Sequence, residues 1–318
     1  MKRLVASSWA SSTKSSYNSE LRKWEKYCAD NALSPNQPTF ELALKFLVWL
    51  HDKQGAKYST ICNARSAMSA LTPAQQEVTF GKCPLVSRVV KGMFRERPRI
   101  PRKVLVYDTN KVIRYISHMP GNHELLLEPL TKKLTTLLCI LSGQRSQSLS
   151  VLYLQHMHQE DDVITFFIPK MLKTTTPTFH QQPLEFMRFP YDVNTCVYTC
   201  LLHYIERTRL LRENLVTEGD EKLSLILSYR PPHNPVKSAT LARYVKDMLG
   251  EAGIDITVFT THSTRSASTS KANNLGLSLK DISKAAGWKG GSTFQNHYKF
   301  RVTKNFGAEI LSAALGNI

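Results

Sequence analysis

Apolar positions in the first third of the chain recur every three or four residues, which is the spacing of an amphipathic helix. A Ser/Thr-rich stretch precedes the first such pattern, Pro35 and Pro38 interrupt it, and Thr39 can cap the next one. Four short helices in about 90 residues predict a compact helical bundle over residues 1–94. Their apolar positions are Tyr17, Leu21, Trp24 and Cys28; Leu42, Phe46, Leu47 and Leu50; Ile61, Ala64, Met68 and Leu71; and Leu85, Val89, Val90, Met93 and Phe94.

The segment that follows the bundle is rich in arginine and is interrupted by Pro98 and Pro101. Proline blocks helix continuation, so residues 95–104 are predicted to form an extended basic linker between two domains. Its basic side chains could contact a DNA backbone, form a nuclear import signal or only keep a flexible linker solvated. We favour the backbone contact.

The pattern becomes mixed after the linker. Asp108 can cap a helix, and Leu130–Leu141 is apolar enough to lie centrally. Residues 105–318 are therefore predicted to be mostly helical with a small sheet. The predicted strands are Val163–Ile168 and Pro183–Phe189, paired as a hairpin around the polar tip Lys170–Gln181, and the strand-like run Leu223–Tyr229. The remaining predicted helices are Thr195–Leu211, Ser238–Leu249, Thr264–Leu275, Ser278–Ala286 and the region around Tyr298.

The charge balance narrows the choice of partner. The chain has 42 Lys and Arg against 25 Asp and Glu, a net charge of +17. Residues 1–104 hold 18 Lys/Arg and 7 Asp/Glu, so 18 − 7 = +11 of that charge lies in the first third. This favours a polyanion held mainly by the first domain, although charge alone also fits a merely basic soluble protein. We find no apolar run long enough to span a membrane and expect no signal peptide.

The six cysteines are scattered widely, which is typical of reduced intracellular thiols rather than of a disulfide framework. Cys196, Cys200 and His203 have the spacing of one helical face. A zinc site needs a fourth ligand, and no second Cys/His pair stands at metal-ligand spacing. Buried thiols on a core helix are the ordinary explanation, so we predict no metal site.

The last half of the chain holds a set of residues whose chemistry fits DNA breakage and rejoining. Two arginines can clamp a phosphate, a lysine and a histidine can handle protons, and a tyrosine can attack. Each has a structural alternative: an ion pair for the arginine, a solvated turn for the lysine, and core packing for the tryptophan. Their occurrence in one order is the stronger signal. The candidates are Arg145, Lys173 (or Lys170), His262, Arg265, Trp288 and Tyr298, the last being the only tyrosine after Tyr244.

This order, Arg, Lys, His-x-x-Arg, Trp, Tyr, resembles the catalytic domain of the tyrosine recombinases, the phage integrase family. The runs Thr-His-Ser-Thr-Arg-Ser-Ala-Ser-Thr-Ser and Phe-Gln-Asn-His-Tyr are most similar to recombinases of eukaryotic DIRS-like and Crypton mobile elements. The resemblance implies a mainly α fold with a small β-sheet (α+β), built from a SAM-like core-binding domain over 1–94 and a catalytic domain over 105–318. Two departures are Ser148, where an acidic residue is usual, and one extra residue between Trp288 and Tyr298.

The resemblance also implies a function: a site-specific recombinase or integrase that cleaves DNA through a 3′-phosphotyrosine on Tyr298, without any cofactor. It implies double-stranded DNA as partner, a homotetramer on that DNA and, in a eukaryotic host, the nucleus. The tail Lys304–Leu315 could dock into a neighbouring subunit or pack on its own domain. The chain could stand alone or be a piece of a longer element. Alternatives are a type IB topoisomerase and a decayed or domesticated protein that binds DNA without cutting it.

Overall fold

The computed structural model of the chain divides into two compact units, Met1–Lys103 and Val104–Ile318. The assignment of the first unit to DNA binding stays a prediction. The structure describes residues 9–36, 38–75, 77–98, 106–172, 175–176, 178–213, 215, 223–289 and 294. In these ranges no helix is both long and apolar enough to cross a membrane.

The first unit is a bundle of the four predicted helices. The side-chain oxygen of Thr39 accepts a hydrogen bond from the Leu42 N–H at 3.2 Å, so the predicted cap is confirmed. A short 3₁₀ turn, Phe80–Lys82, precedes the last helix, which begins with proline in its first turn. The four helices are α1 (Ser11–Asp30), α2 (Phe40–Asp52), α3 (Tyr58–Leu71) and α4 (Pro84–Glu96).

Aromatic residues dominate the core of this bundle. The Trp24 and Phe46 ring centroids are 5.4 Å apart in an edge-to-face contact, and Trp24 Nε1 donates to the Pro35 carbonyl at 3.0 Å. That bond ties the α1–α2 loop to the core. Three apolar positions of the predicted helices are exposed instead, because they lie at the edges of the buried faces: Leu71, Leu85 and Phe94.

The predicted linker, residues 95–104, overlaps the last two residues of helix α4. Arg95 and Glu96 still belong to α4, because the helix ends at Glu96 and only Arg97, the residue before Pro98, leaves the helical conformation. The next residue, Arg97, donates from Nε to His51 Nε2 at 3.1 Å, which fastens it to the end of α2. Residues 99–105 lie outside the described part of the chain.

Helices surround a central helix in the second unit. Asp108 caps the first helix as predicted, accepting from the Asn110 N–H at 3.0 Å. The helices are α5 (Thr109–Ser117), α6 (Leu127–Ser142), α7 (Ser146–Leu149), α8 (Val197–Glu213), α9 (Ser238–Glu251), α10 (Thr261–Asn274) and α11 (Leu279–Ala286). Helix α10 begins three residues earlier than predicted, and the predicted helix around Tyr298 lies outside the described residues.

The small sheet has three antiparallel strands, β1 (Met157–Gln159), β2 (Val163–Phe166) and β3 (Leu184–Met187), in the order β1-β2-β3. Strands β2 and β3 form the predicted hairpin, with Ile164 opposite Phe186. Strand β1 was not predicted. The prediction of a strand over Leu223–Tyr229 is wrong, because this run makes only isolated bridges, Ser224 to Tyr153 and Leu227 to Pro235. The fold class, mainly helical with a small sheet, is confirmed.

Helix α6 lies at the centre of this unit and packs against α8, α9 and α10. Every residue from Lys133 to Ile140 is buried, so the middle of the helix is covered on all sides, which is the pattern of a core helix rather than of a surface one. The buried Lys133 on α6 reaches the Asn194 side-chain oxygen at 3.4 Å, and burial lowers the pKa of this lysine.

The six cysteines are free thiols. Cys196 and Cys200 are buried at the start of α8, and burial raises the pKa of Cys200 to about 12. The Cys196 sulfur accepts from the Phe189 N–H at 3.2 Å. His203, on α8, is exposed, whereas Cys196 and Cys200 are buried.

Candidate active site

A sharp turn after α6 presents Arg145. Gly143 ends the helix in the left-handed conformation, at φ +60°, which glycine adopts without a steric penalty. A side chain there would also meet Thr269, whose Cγ2 lies 3.3 Å from the position that a Cβ would occupy. Arg145 follows as the extended residue before α7 and is half-buried. The turn therefore fixes the position of Arg145 between the end of α6 and the start of α7.

Helix α10 begins at a reciprocal cap. Thr260 and Ser263 form a capping box, in which the Thr260 N–H donates to Ser263 Oγ at 3.1 Å. The Thr261 hydroxyl donates to the Ala242 carbonyl and so ties the start of α10 to α9. His262 lies in the first turn and is exposed, whereas Arg265, one turn on, is buried.

Arg265 is held from two sides by neutral groups. One guanidinium nitrogen donates to the Gly143 carbonyl at 2.9 Å, and the guanidinium carbon lies 4.5 Å from the centroid of the Trp288 ring. Only 2% of Arg265 is exposed. A buried cation is costly unless it meets compensating groups, and a planar guanidinium both stacks on an indole and fits a phosphate. Arg265 is thus fixed in direction before any ligand arrives.

Three of the predicted residues line one cleft of about 480 Å³: Arg145, His262 and Arg265. Trp288 lies behind it, under Arg265, and packs against Phe294 with 5.9 Å between ring centroids. The structure therefore brings together four side chains from three separate parts of the sequence. Whether they act in catalysis stays a prediction.

The cleft is also lined by two cationic residues that sequence reasoning missed, Arg243 and Lys246 of α9. They lie on the polar side of α9, whose apolar side is buried. The sequence predicts that this side is polar, but not that it faces the cleft. No described residue that lines the cleft is acidic. Four cationic side chains and one imidazole thus face an opening without a carboxylate, which favours an anionic ligand.

The remaining candidates are placed only in part. Lys173 and Tyr298 lie outside the described residues. The alternative lysine, Lys170, is exposed, and its Nζ lies 5.0 Å from the centroid of the Tyr153 ring. Within the described ranges, no three His, Cys, Asp or Glu side chains cluster as metal ligands would.

The fold is similar to that of solved recombinase structures. The XerH site-specific recombinase bound to palindromic difH substrate gives a TM-score of 0.60 at 13% identity, over 95% of this chain and 78% of that one. A lambda integrase dimer bound to a COC′ core site gives 0.52 at 15%, over 96% and 94%. The Tn1549 transposon integrase in complex with transposon right end DNA gives 0.50 at 16%, over 87% and 85%. At such identities the likeness shows the fold.

Sequence comparison settles the family. A search of curated proteins found no significant match. The model of the phage integrase family matches residues 119–302, which is more than half of the chain and includes the whole predicted series from Arg145 to Tyr298. The chain belongs to the phage integrase family, the tyrosine recombinases.

Proposed function

We propose that the protein is a site-specific DNA recombinase that cleaves and rejoins double-stranded DNA through a covalent 3′-phosphotyrosine on Tyr298. The observation that carries this proposal is the cleft in which Arg145, His262 and Arg265 meet. Two arginines and an imidazole at one opening, among whose described lining residues none is acidic, suit a phosphodiester that gains negative charge during the reaction.

The chemistry assigns one role to each residue. A phenol has a pKa of about 10, so Tyr298 needs help to lose its proton before it attacks the scissile phosphorus. His262 assists that proton transfer, while Arg145 and Arg265 hold the non-bridging oxygens. The bond from phosphorus to the 5′ oxygen breaks, and Lys173 protonates the leaving oxygen. A second strand's 5′-hydroxyl reverses the step, and Trp288 keeps Arg265 in place throughout.

The biological setting is part of the same proposal. Strand exchange between two duplexes uses four active sites, so the acting species is a homotetramer on DNA. The similarity of the two C-terminal motifs to DIRS-like and Crypton recombinases supports a mobile element as the origin and the nucleus as the place of action. Lambda integrase has been solved as a tetramer bound to a Holliday junction, which supports the assembly.

A trapped covalent adduct tests the proposal. The probe is a nicked suicide duplex built from the sequences that flank the gene, in which cleavage releases a short strand and leaves the protein attached. Wild type, Tyr298→Phe and the control Tyr191→Phe are compared on denaturing gels. Tyr191 is an exposed tyrosine of the same unit, so its loss leaves the chemistry intact.

We expect an adduct with wild type and Tyr191→Phe and none with Tyr298→Phe. An adduct that survives in Tyr298→Phe would contradict the assignment of the nucleophile. DNA binding by wild type without any adduct would identify a non-catalytic DNA-binding protein. Recombinant junctions, rather than relaxed plasmid alone, separate a recombinase from a type IB topoisomerase.

A further inference from the structure

Three consecutive residues in the turn after α6 contact three different parts of the candidate site. The Gly143 carbonyl accepts from Arg265, the Gln144 side chain reaches α11, and Arg145 lines the cleft. Gln144 is the one whose role the proposed chemistry leaves open. It is 3% exposed, which is unusual for a glutamine and indicates a built-in polar contact.

Both ends of Gln144 are fixed. Its backbone N–H donates to Ser142 Oγ at 3.2 Å, and that hydroxyl donates to the Leu138 carbonyl at 2.5 Å. Its side-chain Nε2 donates to the Ala285 carbonyl at 2.5 Å. Ala285 lies in the last turn of α11, where carbonyls have no successor in the helix to bond with. The glutamine amide therefore serves as the cap of α11 from another element.

The end of α11 sets the position of Trp288. Gly287 closes the helix in the left-handed conformation, and the Trp288 N–H then donates to the Ser283 carbonyl at 2.9 Å. The Trp288 ring packs over the Arg265 guanidinium. A displacement of the Ala285 carbonyl thus moves the Trp288 ring that lies over Arg265.

We propose that Gln144 is a positioning residue that couples the Arg145 turn to α11 and Trp288. Through this buried amide, Arg145 on one segment and the Trp288 ring behind Arg265 on another keep a fixed spacing. This inference rests on the proposed recombinase function for its catalytic consequence, but its structural part stands on the contacts alone. A misplacement of about 1 Å in such a site can cost about 100-fold in rate.

Two substitutions at Gln144 remove the donor in different ways. Gln144→Met keeps the length of the side chain without a polar group, and Gln144→Glu keeps its shape but turns the donor into an acceptor. The control is Gln155→Met, the same change at an exposed glutamine of the same unit that does not line the cleft. We expect Gln144→Met to lower the rate of adduct formation at saturating suicide duplex by about 10- to 100-fold, with the DNA dissociation constant within about twofold of wild type.

The pH dependence of Gln144→Glu separates positioning from general damage. A buried carboxyl group can donate to the Ala285 carbonyl only when it is protonated. The adduct rate of Gln144→Glu, taken relative to wild type at each pH, therefore rises as the pH falls through the pKa of that carboxyl. Gln144→Met has no such group, so its ratio to wild type stays flat.

A spectroscopic signal tests the coupling without any chemistry. Trp288 is the only tryptophan after residue 104, so fluorotryptophan labelling gives one ¹⁹F resonance from the second unit, assigned with Trp288→Phe. We expect Gln144→Met to shift that resonance and to leave the signals of the other three tryptophans in place, and Gln155→Met to shift none. If Gln144→Met does not fold, Gln144→Asn, whose amide is too short to reach Ala285, replaces it.

An unmoved Trp288 resonance in the folded variant would overturn the inference, as would wild-type adduct rates in both Gln144 variants. If wild type forms no adduct at all, the proposed function fails, and the Trp288 resonance still decides the coupling by itself.

Discussion

The two unexpected cations of the cleft lead to a quantitative prediction about salt. Arg243 and Lys246 line the same opening as Arg145 and Arg265, and no described residue that lines it is acidic. Each DNA phosphate that a cation neutralises adds about 0.9 to the slope of log affinity against log salt. If both contact phosphate, the double substitution Arg243→Gln/Lys246→Gln flattens that slope by about 1.8.

This change is large enough to measure directly. When the salt concentration rises from about 50 to about 200 mM, a slope difference of about 1.8 makes the affinity of wild type fall about 12-fold more than the affinity of the variant. Fluorescence anisotropy with a labelled duplex over that range gives both slopes. Glutamine keeps the helix-forming preference of the two positions, so α9 is retained.

The chain offers a matched control. Lys111 and Arg114 of α5 are exposed, have the same i, i+3 spacing as Arg243 and Lys246 and belong to the same unit, but they do not line the cleft. We expect Lys111→Gln/Arg114→Gln to leave the slope close to that of wild type. Equal slopes for wild type and the Arg243/Lys246 variant, or equal flattening by both double variants, would refute the assignment of this cleft to the DNA backbone.

Two further predictions follow from buried cations. Arg265→Lys keeps the charge but loses the planar group that lies over Trp288, so we expect the single-turnover cleavage rate to fall by about 100-fold or more; a fall of less than about threefold would contradict a phosphate clamp. Burial lowers the pKa of Lys133 in the folded protein below its ordinary value of 10.5. Between the lowered pKa and pH 10.5, the unfolded chain therefore binds more protons than the folded chain, so the free energy of unfolding rises with pH. The free energy of unfolding of wild type relative to Lys133→Met, from urea titrations, should therefore increase from neutral pH toward 10.5, and a constant difference would argue against the buried charge.

Periodicity predicted most of the helices, because most of them bury one face, and a side-chain cap marks the start of α2, α5 and α11. Thr39 and Asp108 were identified as caps from their residue types, and both accept the expected backbone hydrogen bond. The β2–β3 hairpin was predicted for a similar reason, since β2 is rich in β-branched and aromatic residues. These features depend on residues close together in sequence.

Elements that depend on distant partners were missed. Strand β1 is three residues long, too short for an alternation, and pairs only because β2 lies beside it. The Leu223–Tyr229 run has strand composition but lacks a neighbouring strand in register, so tertiary context overrides its propensity. The start of α10 was placed late because the run Thr260–Thr264 offers several possible caps, and only the structure selects Thr260.

The site itself was predicted as a set of residues but not as a surface. The order from Arg145 to Trp288 indicated a shared site, and the described members do meet. What the pattern does not contain is the direction of the polar side of α9, which adds Arg243 and Lys246. It also does not contain the contact of Gln144 with Ala285, since that bond joins residues far apart in the chain.

The central helix α6 has a consequence for how such proteins change over time. It forms the middle of the hydrophobic core and ends directly in the turn that bears Arg145. A substitution that repacks this helix therefore moves the turn, so foldability and activity are selected through the same residues. We expect neutral drift to be slower along α6 than in the core of the N-terminal bundle, and divergent homologues to retain its leucines.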